Sequence, residues 1–207
     1  MKHILFSLFT AVVALLFAHT AQAQNNAAQA RAILDKTAKV VGRSGGVSAS
    51  FTMNAPSTGS MSGKISVKGN KFYASTPQMT VWFNGKTQWT YMKKNNEVNV
   101  STPTAAQQQM MNPYTFINVY KSGYKLSTKP SGANNEVHMV AGNKNHSIQE
   151  MYITVNKKTS VPSQIKMKHG NKWYTISVSD FSAKNLPNSL FTFNSKDYPS
   201  AEVIDLR

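Results

Sequence analysis

The residues best suited to metal binding or proton transfer in this chain are His138, His146 and His169. None stands at H-x-x-x-H spacing, and the carboxylate near them in sequence is Glu150, close to His146. "GSMSG", Gly59 to Gly63, has the outline of a nucleophile elbow, but its centre is Met61, which has no hydroxyl to activate. There is no cysteine. That excludes a thiolate zinc site, a disulfide framework, a cysteine nucleophile and a lipid anchor built on cysteine. No Walker loop and no G-x-G-x-x-G occurs, and the eight acids lie scattered without a paired arrangement. The chain therefore reads as a non-enzyme, with no cofactor and no metal site.

The elements that hold these residues begin after a leader. "MKHILFSLFTAVVALLFAHTAQAQ" has a basic start at Lys2, an apolar run from Ile4 to Phe17, and a small-x-small site at Ala21 to Ala23. This is the pattern of a secretory signal peptide over 1–23, cleaved near Ala23, with a single domain over 24–207. The run is too short to span a bilayer comfortably.

Next, Ala30, Ile33, Leu34, Ala38 and Val41 recur at helical spacing, and Gly42 is a natural stop. Period two then takes over in "VSASFTM", "KISVK", "NEVNV", "YKLS", "EVHMV", "MYITV", "QIKMK", "WYTISV" and finally "FTF" at Phe191 to Phe193. Turn signals separate these runs at Ser62-Gly63, Gly69-Asn70, Asn84-Gly85, Asn95-Asn96, Gly132 to Asn135 and Gly170-Asn171. Roughly ten or eleven strands joined by tight turns predict an antiparallel meander. One segment, Thr102 to Gly123, does not alternate. Asn112-Pro113 predicts a helix start there, with Tyr114, Ile117 and Tyr120 on one side.

Formal charge is +15, from 23 Lys and Arg against 8 Asp and Glu. The lysines form no run longer than the pairs Lys93-Lys94 and Lys157-Lys158, and no stacking aromatics alternate with them in a nucleic-acid motif. They suit a solvated surface with guarded strand edges and no nucleic-acid partner. The alternative class is a secreted basic binding module for anionic surfaces such as lipopolysaccharide.

The remaining signal is apolar. In "TVWFNGKTQWTY", a two-residue turn at Asn84-Gly85 pairs Phe83 with Lys86 and makes Trp82 and Trp89 diagonal neighbours. Val81, Phe83 and Met92 then share one face; Trp82, Trp89 and Tyr91 share the other. Both faces are greasy, which a half-exposed sheet does not need. Met53, Met79, Met92, Met139, Met151 and Met167 fall on apolar strand faces, where flexible thioethers accommodate varied partners.

Taken together, the helix followed by "ASFTM", the strand "ISVKGNKFYAST", the hairpin "NGKTQWTY", the segment "NPYTFIN" and the ending "SLFTFNSKDYPSAEVIDLR" resemble the LolA family of periplasmic lipoprotein carriers. The resemblance implies a mainly β fold with helices (α+β), an unclosed antiparallel β-barrel lidded by short helices. It implies a periplasmic chaperone, a monomer, that holds lipoprotein acyl chains in a hydrophobic cavity. Its partners would be acylated lipoproteins, an inner-membrane ABC-type transporter, and an outer-membrane acceptor or the outer membrane itself. By position the cavity residues implied are Phe51, Met53, Phe72, Val81, Tyr114 and Ile117; strand parity adds Ile65, Val67 and Phe83. The family's strand motif carries an Arg that latches the lid. This chain has Gly69-Asn70 there, flanked by Lys68 and Lys71.

Overall fold

The structure is a computed structural model and describes residues 24–56, 59–105, 107–108 and 118–207. Residues 1–23, read above as a signal peptide, lie outside the described residues.

Helix α1 spans 24–41. Its apolar stripe is buried at Ala30, Leu34 and Val41. Thr37 is buried on the same face, and its hydroxyl donates to the Ile33 carbonyl at 3.0 Å, so no polar group is left stranded. The helix ends where Gly42 N–H donates to the Ala38 carbonyl at 2.8 Å.

The strands are β1 (Val47–Ala55), β2 (Gly59–Lys68), β3 (Lys71–Ser75), β4 (Met79–Phe83), β5 (Gln88–Met92), β6 (Glu97–Ser101), β7 (Tyr124–Ser131), β8 (Asn134–Ala141), β9 (Ile148–Asn156), β10 (Pro162–His169), β11 (Lys172–Ala183) and β12 (Glu202–Asp205). They form one sheet in the order β12-β6-β5-β4-β3-β2-β1-β11-β10-β9-β8-β7. The sheet is unclosed and mostly meander, as expected. The count is twelve, slightly above the expected number, and one pair is parallel: β12 beside β6. The long return from β11 makes that possible, because a parallel neighbour cannot follow a tight turn.

Three local expectations are corrected. Phe191 to Phe193 is not a strand: Asn188–Phe191 is a 3₁₀ turn, and β12 closes the chain instead. Phe191 is wholly buried, so its apolar character reports core packing rather than strand pleat. Ser62 and Gly63 lie inside β2, not in a turn. The β4–β5 connection has four residues, Asn84 to Thr87, not two. Asn84 Oδ1 accepts from Lys86 N and Thr87 N at 3.0 and 2.9 Å, and Gly85 takes φ 101°. Phe83 therefore faces Gln88, and Trp82 directly faces Trp89. A shift of two residues leaves every side chain on its expected face.

The inner face is the one α1 covers. One core joins α1 to β8–β11 through Leu34, Tyr120, Val137, Met139, Ile148, Met151, Ile153 and Ile165. A second core lies on the same face across β1–β4, through Val47, Val67, Phe72, Val81 and Phe83. Phe181 packs against both. It keeps its inward aim because Asp180, at φ 51°, sits in the irregularity where β11 changes register with β1.

The outer face of β3–β6 is covered too. Trp82 meets Tyr73, Phe193 and Tyr198 edge-on at 5.9, 5.5 and 5.5 Å, and Tyr91 meets Tyr198 at 4.7 Å. The C-terminal segment lies across these rings. The hairpin is greasy on both sides because both sides are packed.

Candidate functional site: an apolar inner face

The cross-strand register stacks the inner face into rows. Val47, Val67, Phe72 and Phe83 form the first, each at most 3 % exposed. Ala49, Ile65, Ala74 and Val81 form the second. Phe51 faces Gly63 in the third, with Met79 facing Met92 further along the sheet. Met53, between Met61 and Ile176, starts the fourth.

Exposure rises along these rows. The first is sealed, whereas Ala49, Ile65, Phe51, Met53, Met61, Ala74, Met79 and Ile176 are half-buried. These half-buried residues form an apolar patch, in which the small Ala49, Gly63 and Ala74 stand opposite the larger Ile65, Phe51 and Val81. At Gly63 a side chain would not fit: a Cβ would stand 2.4 Å from the Ser75 carbonyl oxygen and 3.0 Å from the Phe51 ring. The Phe51 ring lies over this glycine and takes the space a side chain would need.

Seven residues expected in the cavity, Phe51, Met53, Ile65, Val67, Phe72, Val81 and Phe83, share this face. Val67, Phe72, Val81 and Phe83 belong to the sealed core, while Phe51, Met53 and Ile65 are half-buried. Tyr114 and Ile117 lie outside the described residues, as does the expected helix start at Asn112-Pro113. Ala49, Met61, Gly63, Ala74 and Ile176 were missed as site residues. Parity alone would have found Ala49, Met61 and Gly63, but small residues and a glycine carry no apolar signal, and Ser62-Gly63 reads as a turn.

Beyond this patch, the segment after 117 is anchored to α1. Tyr120 is buried, and its phenol donates to Asp35 Oδ1. Burial, then this hydrogen bond, pushes the Tyr120 pKa well above the ordinary tyrosine range. Arg31 lies over the same ring at 5.9 Å.

At the position of the family's latch, Lys68 Nζ donates to the Leu186 carbonyl at 2.6 Å and Lys71 Nζ to Asn188 Oδ1 at 3.2 Å. Both lysines tie down the C-terminal segment. Glu150 pairs with His138, not with its sequence neighbour His146. His138 Nε2 lies 2.8 Å from Glu150 Oε1, and the ring stacks on Tyr152 at 4.2 Å. The Tyr152 phenol donates to the same oxygen at 2.9 Å, which, with His138, holds the Glu150 pKa below its usual range. Among the described residues no three His, Cys, Asp or Glu side chains converge as a metal site requires.

Known proteins agree with this architecture. The family profile described as outer membrane lipoprotein carrier protein LolA matches residues 19–171. No curated protein sequence matches the chain. The fold is similar to that of an uncharacterized conserved protein from Thermus thermophilus, with 14 % identity, 86 % of this chain and 99 % of that chain covered, and a TM-score of 0.59. It is also similar to the LolA superfamily protein NE2245 from Nitrosomonas europaea, with 11 % identity, 79 % and 97 % covered, and a TM-score of 0.43. LprF from Mycobacterium bovis gives 9 % identity, 77 % and 94 % covered, and the same TM-score, 0.43. With about three quarters of its length matched by the family profile, the chain belongs to the LolA family of outer membrane lipoprotein carrier proteins.

Proposed function

We propose that this protein is a periplasmic chaperone that holds lipoprotein acyl chains against its inner face and carries them from the inner to the outer membrane. It would receive them from an inner-membrane ABC-type transporter. It would deliver them to an outer-membrane acceptor or to the outer membrane itself. It acts as a monomer and catalyses no reaction. The observation that carries this reading is a half-buried apolar patch on the inner face, where Ala49, Gly63 and Ala74 lie beside Phe51, Ile65 and Met53.

The physics suits a carrier. Each buried methylene is worth roughly 0.8 kcal/mol, so an unshielded acyl chain would enter the first membrane it met. Non-directional contacts with a thioether-rich wall offset part of that drive without fixing one ligand geometry. The leader read from the sequence supports export, and the family supports a lipoprotein cargo.

The test is binding of a fluorescent fatty-acid probe, and then of a diacylated peptide, to the mature chain. Ala74→Phe places a large ring in this patch and should weaken both clearly with little change in melting temperature. Unchanged binding by that folded variant would remove this reading. Native purification from the periplasm, followed by mass spectrometry, should show co-purifying acylated proteins.

A further inference from the structure

The antiparallel register decides which loops share an end of the sheet. β1, β8 and β10 finish, and β2, β7, β9 and β11 begin, at one end. This is the end toward which the inner face becomes accessible, where Met53 faces Met61. On the β7–β11 flank of the same end stand Lys121, Lys125, Lys144, Lys166, Lys168 and Lys172. The last three belong to the β10–β11 hairpin, next to whose tip Trp173 stands opposite Lys168.

The acid among these lysines is Glu150, hydrogen-bonded to His138 and Tyr152 and standing opposite Lys168, whose charge also reaches it. Glu97 and Glu202, at the same end, face each other on β6 and β12, on the far flank. Trp173 is 36 % exposed and Val140 is 38 % exposed on the outer face nearby. The Lys166 ammonium lies 5.7 Å from the centre of the Trp173 ring.

These cations differ from several at the opposite end. There, Lys68 and Lys71 hold the C-terminal segment, Lys129 pairs with Glu136, and Lys157 donates to the Gly132 carbonyl. Among the described residues, Lys121, Lys125, Lys144 and Lys172 make no hydrogen bond or ion pair through their ammonium groups. Four lysines without such partners among the described residues, beside a half-exposed indole, match a membrane-interface anchor. The amphipathic ring sits at headgroup level, and ammonium groups reach the phosphates.

We propose that this end of the sheet docks on an anionic phospholipid bilayer through the β10–β11 tip and the lysines beside it. The purpose of docking rests on the carrier reading: an inner face that opens toward the bilayer passes acyl chains without exposing them to water. The docking itself needs no cargo. A single-stranded nucleic acid fits less well. The His138 and Tyr152 rings stack on one another with planes 3° apart, and Lys166 stands at the Trp173 ring, so few aromatic faces are left for bases.

The experiment is flotation of the mature chain with vesicles of phosphatidylcholine alone or mixed with phosphatidylglycerol. It is run at roughly 50 mM and roughly 500 mM salt, where screening differs strongly. The chain should float with the anionic vesicles and leave them at high salt. The double variant Lys168→Glu/Lys172→Glu should weaken flotation by at least about tenfold, since each lysine near such a surface contributes about one such factor or somewhat less. Trp173→Ala should weaken it measurably. Lys157→Glu/Lys158→Glu, at the opposite end, should have a much smaller effect.

Equal loss from both double variants would assign the binding to diffuse charge and overturn the proposal, as would no binding or equal binding to neutral vesicles. All these changes leave the inner-face patch intact, so the fatty-acid probe separates the two readings. Lost docking with retained probe binding removes this inference alone. Retained docking with no probe binding by the unaltered chain removes the carrier reading alone.

Discussion

The phenol of Tyr120 donates to the carboxylate of Asp35, a residue 85 positions earlier on α1. This contact joins the start of the β7–β11 half of the sheet to the helix that covers it. Tyr120 is wholly buried, yet its oxygen reaches a carboxylate on an exposed turn of α1.

That pair predicts alkaline sensitivity. The folded Tyr120 has a raised pKa, so above about pH 10, the ordinary tyrosine value, the unfolded chain loses its proton first. Stability from this group is complete below that value and falls as pH rises beyond it. Tyr120→Phe should cost about 1 kcal/mol at neutral pH, for the lost charge-assisted hydrogen bond, and should flatten the decline between about pH 10 and 12. Denaturant melts of both proteins across that range check it. Parallel curves would show that Tyr120 does not govern the decline.

Gly63 and Phe51 form a second testable pair. Gly63→Ala should destabilise the fold by about 1–3 kcal/mol, because the added Cβ meets the Ser75 carbonyl and the backbone has to shift. The same change displaces the Phe51 ring, so acyl-probe affinity should fall as well. Chemical denaturation and probe titration measure the two effects separately.

Lys68 clamps the C-terminal segment. Lys68→Met keeps the apolar stem and removes the 2.6 Å bond to the Leu186 carbonyl. Limited proteolysis should then cut within 184–200 several times faster than in the unaltered chain, with global stability lowered by about 1 kcal/mol. Phe191→Ala, which empties a fully buried site within the same segment, should cost about 3–5 kcal/mol.

The exposed edge of β7 depends on Asn26. Its side chain donates to the Thr128 carbonyl at 2.9 Å and accepts from Thr128 N at 2.6 Å, as a neighbouring strand would. Pro130, two residues on, has no N–H to offer. Asn26→Ala should cost about 1–2 kcal/mol and raise concentration-dependent aggregation, since it opens two adjacent backbone groups on an edge strand. Light scattering at matched unfolded fraction separates aggregation from simple instability.

The sequence by itself determined which residues alternate and where most turns fall. Period-two runs such as Val137, Met139 and Ile153, Val155 state their own faces, because a strand's geometry forces them apart from their neighbours. Likewise the helical stripe Ala30, Leu34, Val41 names its buried side before any partner is known. The two faces of the aromatic hairpin were legible for the same reason, even though the turn was two residues longer than expected. Tertiary structure alone decided what covers each face. Trp82 and Tyr91 are packed because Phe193 and Tyr198, more than a hundred residues later, return across them. Phe191 looks like a strand residue until burial beneath that return gives its apolar side chain another use. The half-buried patch is less legible still: Gly63 matters because the Phe51 ring and the Ser75 carbonyl take the space its side chain would need, and that crowding exists only once neighbouring strands fix what stands on either side of it.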